Sequence, residues 1–158
     1  MTRTLSRSTF LRLLAISAVA LTLAAPALAG EFYDKNGAAL LGHDAVAYFT
    51  ENRPVKGLAE FEAKYKGSTF YFASEANRAT FTTDPARYAP QYGGFCAFGT
   101  AAGYKAKIDP QAFTIFDGKL YLNYDRDVQK QWSSDIPSFI VKADKNWPTV
   151  SSLTEVYE

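Results

Sequence analysis

The sequence predicts an α+β domain, in which two β-hairpins form a small antiparallel sheet packed with short helices, followed by a C-terminal helical segment. Two pairs of aromatic-rich segments, each pair joined by a short glycine-containing turn, predict the hairpins. Apolar residues at helical spacing in the last third of the chain predict the helices. Strand pairs and helices that do not strictly alternate favour this class over a parallel α/β fold.

The first hairpin is predicted from residues 61–65 and 69–73. The first of these segments alternates apolar and polar side chains, and the second is aromatic and β-favouring, with Lys66-Gly67 between them. Before the hairpin, residues 42–49 are expected to form one or two helical turns. After it, Ser74 is a suitable N-cap for a helix.

The second hairpin is predicted from residues 113–116 and 120–123, because Asp117-Gly118 between alternating apolar runs is a strong hairpin signal. The helices that follow are expected to begin at Asp125 or Asp127 and near Pro137, which suits a first helical turn. Pro148 is expected to end the last helix. No internal repeat is visible in the sequence.

Residues 1–29 have the features of a cleaved secretory signal peptide. A basic start without acidic residues precedes an apolar run over 13–24, and Ala27-Leu28-Ala29 is a small-x-small cleavage site. The apolar run is too short to span a bilayer as a helix, so no stable membrane anchor is expected. We therefore expect cleavage after Ala29, with export by the general secretory route and the twin-arginine route as the alternative. The expected product is a periplasmic protein with one domain over residues 30–158.

Composition excludes several classes of function. The chain has one Cys (Cys96), one His (His43) and a formal net charge of +1. A single Cys cannot form an internal disulfide or a cysteine-built zinc finger. The near-neutral charge, without a basic-aromatic pattern, gives no indication of nucleic-acid binding. No catalytic triad or phosphate-binding loop is present, so the sequence gives no positive support for a metabolic enzyme.

A set of segments runs in order along nearly all of the chain after residue 29: 42–49, 66–74, Asn77-Arg78, Phe81, Asp84-Pro85, 88–97, Asp109-Pro110, 117–123, Trp132, Ala143-Asp144 and Trp147-Pro148. Together these segments resemble the exported branch of the YHS domain-containing (seleno)protein family. The resemblance implies a small α+β domain.

The resemblance implies metal handling, because YHS modules are associated with copper and other heavy-metal transport proteins. The shorter modules carry two thiols where this chain has Ala73 and Asn77, so that ligand pair is absent here. Cys96 stands where some family members resemble selenoproteins, which implies nucleophilic, redox or soft-metal chemistry without choosing among them.

Cys96 is therefore the principal candidate site residue, because a free thiol in an exported protein is at risk of oxidation. We expect Cys96 and His43 to be the metal ligands, since a thiolate and an imidazole together suit monovalent copper. A copper ion is the expected cofactor, and a metal-transport protein is the possible partner. Tyr48, Tyr92, Gly93 and Gly94 are candidates for the lining of a binding pocket.

Two alternatives remain open at this stage. Cys96 could serve a thiol-based redox enzyme or sensor through a sulfenic acid. Alternatively, Cys96 could be a buried packing residue in a purely structural domain that binds a partner protein.

Overall fold

The protein is described by a computed structural model that covers residues 31–35 and 37–158. The predicted signal peptide and its cleavage site lie outside the described residues. The described part forms ten helices and strands: α1 (Ala47–Thr50), β1 (Leu58–Tyr65), β2 (Ser68–Phe72), α2 (Glu75–Thr83), α3 (Pro85–Tyr88), α4 (Ala97–Ala102), β3 (Asp109–Phe116), β4 (Lys119–Asn123), α5 (Arg126–Ser133) and α6 (Ile136–Val150).

The predicted α+β class is confirmed, and both hairpins form where the sequence predicts them. β1 pairs with β2 and β3 pairs with β4, both antiparallel, as separate two-stranded sheets. The turns Lys66-Gly67 and Asp117-Gly118 have positive φ at both residues, as a type I′ turn requires. This turn geometry fixes the register of each hairpin.

The predicted helix starts are also confirmed. The side chains of Ser74 and Asp125 accept the backbone N–H groups three residues later, at Asn77 and Val128, and so cap α2 and α5. These bonds satisfy amides that have no partner inside the helix. The predicted end of α6 is wrong, because the helix continues past Pro148 to Val150.

The described chain contains a structural repeat that the sequence analysis did not find. The first unit, residues 39–88, and the second unit, residues 91–139, have the same order of a left-handed turn, a short helix, a hairpin and a capped helix. Each hairpin carries an irregularity at the corresponding place, between Leu58 and Glu62 in one and between Asp109 and Phe113 in the other. The two units therefore share their backbone path in detail.

Backbone conformation and hydrogen bonds confirm this correspondence. The turn at Leu40 and the turn at Tyr92 both hold a non-glycine residue at a φ above +50°. The amide of Asp44 donates to Val55 O at 2.8 Å, and the amide of Cys96 donates to Ala106 O at 3.1 Å. Asp44 and Cys96 thus occupy equivalent positions.

The repeat escapes sequence inspection because few side chains are the same at equivalent positions. Gly42 and Gly94 keep the left-handed turns, for which glycine has no steric penalty. Most core positions keep only their apolar character, as where Phe81 of α2 corresponds to Trp132 of α5, both fully buried. Backbone requirements are conserved between the units while side-chain identity is not.

The core contains two clusters of buried apolar residues. The larger one surrounds Phe70, Phe72 and Phe81 and includes Cys96. The second surrounds Trp132 and Tyr121 and is covered by α6. Within the described residues, no helix is long and apolar enough to cross a membrane.

Candidate functional site

Cys96 lies at the N-terminus of α4, where its side chain acts as the helix cap. The N–H of Gly99 donates to Cys96 Sγ over 3.4 Å, in the position where Ser or Asp usually accepts. Cys96 also forms an isolated bridge with Leu122 of β4. The sulfur is thereby held between α4 and the second hairpin, and the residue is 1% exposed.

Burial and hydrogen bonding act on the thiol in opposite directions. Burial raises the pKa of the Cys96 thiol above its ordinary value, because an apolar environment disfavours the thiolate. The Gly99 N–H, which donates to the sulfur, and the backbone amides of Tyr124 and Phe98 act in the other direction and partly offset this rise in pKa. The net effect favours the neutral thiol, while one donated amide hydrogen bond is in place to stabilise an anion.

Asn123 places a polar group beside the sulfur. The residue is 0% exposed, its Oδ1 lies 3.9 Å from Cys96 Sγ, and the same oxygen accepts from the N–H of Phe98 at 3.4 Å. Its Nδ2 is buried and has no hydrogen-bond partner among the described residues. An unsatisfied buried donor is costly, so this amide is available to a group that accepts a hydrogen bond.

A cavity of about 410 Å³ has Cys96 in its lining. Its wall combines phenol rings, apolar side chains and one carboxylate, and its lining consists of Cys96, Tyr104, Ala106, Tyr124, Val128, Tyr157 and Glu158. The thiol is thus buried among polar-tipped aromatic residues rather than sealed in aliphatic packing.

The C-terminal residues form the outer wall of this cavity. Tyr157 forms a bridge with Ala106, and its ring centroid lies 5.0 Å from that of Tyr104. Tyr124 Oη donates to the backbone oxygen of Glu158 at 2.9 Å, and the Glu158 carboxylate pairs with Lys35. Residues 157–158 therefore partly cover the route to Cys96.

His43 lies elsewhere in the fold and does not line the Cys96 cavity. It follows the left-handed turn of the first unit, pairs with Lys56 through an isolated bridge, and its Nδ1 lies 3.0 Å from Leu40 O. Burial lowers the pKa of the imidazole below its ordinary value. The position equivalent to His43 in the second unit is Phe95, next to Cys96.

Tyr48 and Tyr92 are both buried in the core. Tyr48 is fully buried and its hydroxyl donates to Pro110 O at 3.1 Å. Tyr92 donates to Asp144 Oδ1 at 2.8 Å, and burial and this carboxylate together raise the pKa of its phenol. Neither residue lines the Cys96 cavity.

Gly93 and Gly94 shape the approach to Cys96 without bordering its cavity. Gly93 lines, with Tyr92 and Asp144, a second cavity of about 260 Å³. Gly94 is buried in the left-handed turn before Phe95. Their positive φ values turn the chain into position for the cap at Cys96.

The donors around the cavity decide which metal ion would fit it. The lining offers one sulfur, three phenol oxygens and one carboxylate. Within the described residues, no group of three His, Cys, Asp or Glu side chains is arranged to hold a metal ion. This set fits a weakly held thiophilic ion with Cys96 as its single soft ligand, and it does not form a closed structural site.

Sequence reasoning identified Cys96 but missed most of the residues around it. Asn123 is the last residue of a predicted strand, and Tyr157 lies near the end of the chain. Neither position carries a local signal that connects it to Cys96. A comparison of the two units would have singled out Asn123. Its equivalent in the first unit is the buried Phe72, so Asn123 is a polar residue at a core position.

Comparison with known proteins gives one match. Residues 46–92 match the family model of the YHS domain. The matched segment runs from the start of α1 to the left-handed turn before Cys96, and so covers most of the first unit. No curated protein and no solved structure shows significant similarity to the chain.

Proposed function

We propose that this protein, whose residues 46–92 match the YHS domain, binds a soft metal ion through Cys96, with copper(I) as the first candidate. The observation that carries this proposal is a cavity of about 410 Å³ whose lining includes Cys96, the only Cys of the sequence. A thiolate is the protein ligand that copper(I) prefers. The backbone amides around the sulfur would stabilise the thiolate form during binding.

Binding through one protein sulfur favours transfer of the ion over permanent storage. The remaining donors of the cavity are oxygens, which bind soft ions weakly, so a further soft ligand would come from outside the chain. We propose a metal-transport protein as the source of this ligand and as the partner. Residues 1–29 support a periplasmic location for this exchange.

Copper(I) titration against a coloured chelator tests the proposal. Cys96→Ser should abolish competition with the chelator, because the hydroxyl is a poor ligand for this ion. His43→Ala is the second arm: an equal loss would assign His43 as a ligand, and unchanged binding would leave Cys96 as the single protein ligand. Unchanged copper(I) binding by Cys96→Ser would overturn the proposal.

A thiol-based redox role is the second candidate, favoured by the Gly99 amide that donates to the sulfur. In this reaction the Cys96 thiolate attacks a peroxide oxygen, an S–O bond forms as the O–O bond breaks, and hydroxide leaves. An external thiol would then reduce the sulfenic acid, forming a mixed disulfide and releasing water. Labelling with a sulfenic-acid reagent after peroxide treatment, in metal-free buffer, distinguishes this role from metal binding.

A further inference from the structure

We infer that Cys96 occupies, in the second unit, the anion position that the Asp44 carboxylate fills in the first, and that Val128 leaves one side of this position open to a soft cation. This inference rests on the proposed function for the nature of the ligand. The equivalence of the two positions rests on the repeated fold alone, so the two can be tested separately.

In the first unit, four donors surround one buried carboxylate. Asp44 Oδ1 accepts from the amides of Val46 and Ala47, at 2.8 and 3.2 Å. Oδ2 accepts from the amide of Ala73 at 2.8 Å and from Asn77 Nδ2 at 2.7 Å. The position is built for a negative charge, because it supplies only donors.

In the second unit, equivalent backbone amides surround the sulfur. Phe98 and Gly99 correspond to Val46 and Ala47, and Tyr124 corresponds to Ala73. The Gly99 amide donates to Cys96 Sγ at 3.4 Å, and the amides of Phe98 and Tyr124 also act to lower the pKa of the thiol. The anion position is thus repeated with a thiol in place of a carboxylate.

The fourth donor is missing from the second unit. Val128 stands where Asn77 stands in the first, since each is the third residue after the N-cap of its helix. Val128 lines the same cavity as Cys96, and its side chain cannot donate a hydrogen bond. The cavity therefore lies on the side of the anion that Asn77 closes in the first unit.

Asn123 is an independent sign that this position receives a ligand. The first unit has the apolar Phe72 at the equivalent place, whereas the second has a buried amide whose Oδ1 lies 3.9 Å from the sulfur. Asn123 Nδ2 lacks a partner among the described residues. We expect a small acceptor carried by a soft cation at the sulfur, such as chloride or water, to be the partner of this donor.

Substitutions at Val128 test the inference, because Asn and Leu have nearly the same shape and differ in hydrogen-bond donation. In the background of Cys96→Asp, we expect Val128→Asn to unfold at a higher denaturant concentration than Val128→Leu, since Asn would donate to the new carboxylate as Asn77 does to Asp44. An equal or lower midpoint for Val128→Asn would overturn the equivalence of the two positions.

Copper(I) binding by the single variants tests the open side. With Cys96 intact, we expect Val128→Asn to weaken copper(I) binding at least tenfold, because the amide fills the space next to the sulfur. Wild-type affinity in Val128→Asn would show that the cavity does not lead the ion to the sulfur. If the wild-type protein does not bind copper(I), the proposed function fails, while the unfolding comparison still decides the equivalence.

Discussion

The side-chain amide of Asn77 donates to the carboxylate of Asp44 over 2.7 Å. This contact joins α2 to the loop before α1 around a carboxylate that is fully buried. The amide of Ala73 donates to the same carboxylate. Ala73 and Asn77 are the two positions at which the shorter YHS modules that the sequence resembles carry thiols. In this protein the same place is used for a hydrogen-bonded structural centre.

Removal of this contact should destabilise the protein. We expect Asn77→Ala to lower the free energy of unfolding by about 1.5–3 kcal/mol, as is typical of a hydrogen bond to a charged group. Chemical denaturation measures the change. Thr82→Ala, on the exposed face of the same helix, is the control and should have a small effect. Equal effects of the two substitutions would show that the amide contributes little.

The reactivity of Cys96 should rise at unusually high pH. Because burial raises the pKa of the thiol, the thiolate that reacts with alkylating reagents becomes abundant only above the ordinary range for cysteine. The rate of iodoacetamide labelling against pH measures this. The labelling rate of the urea-unfolded protein is the reference, and its midpoint should lie at lower pH. A native midpoint at or below the unfolded one would contradict this prediction.

Tyr157 should control access to the sulfur. We expect Tyr157→Ala to accelerate labelling of Cys96 several-fold at fixed pH, because the ring packs against Tyr104 at the edge of the cavity. Leu153→Ala is a suitable control, since Leu153 lies in the same C-terminal segment, is 37% exposed and borders a different cavity. Identical labelling rates in Tyr157→Ala and the wild type would show that reagents reach the thiol by another route.

His43 should contribute to loss of stability in mild acid. Burial lowers the pKa of the folded imidazole, so the unfolded state binds its proton at higher pH than the folded state. Stability is therefore full above the ordinary histidine pKa and falls as pH decreases through the folded value. Unfolding midpoints of the wild type and His43→Asn, compared across this window, measure the effect. The variant should show the shallower decline, and parallel curves would contradict the assignment.

Local signals in the sequence were sufficient to predict most of the elements. The turn at Asp117-Gly118 depends on those two residues alone. The helix starts at Ser74 and Asp125 each depend on a stretch of four residues, from the cap to the amide that it accepts. These features depend on neighbours along the chain, which a sequence displays directly. The predicted end of α6 at Pro148 was wrong for a physical reason. Proline removes only its own N–H and restricts the residue before it, so it does not prevent the next two residues from remaining helical.

The repeat and the site depended on contacts between distant residues. Cys96 stands out in the sequence because it is unique, whereas Tyr157 and Asn123 reach it only through the bridge at Ala106 and the pairing of β4. The correspondence of Asp44 with Cys96 is likewise invisible in the sequence. Asp and Cys have chemically different side chains, and at these two positions they share only the role of hydrogen-bond acceptor.

The sulfur of Cys96 also caps a helix, so the same atom serves both the thiol chemistry and the start of α4. A ligand that draws on the sulfur lone pairs would compete with the Gly99 amide for them, and we expect it to loosen the first turn of α4. The last turn of α4 is held to α6 by Asn146, whose amide donates to Thr100 O and Ala101 O. Since α4 has only six residues, we expect a change at its first turn to alter its contact with α6.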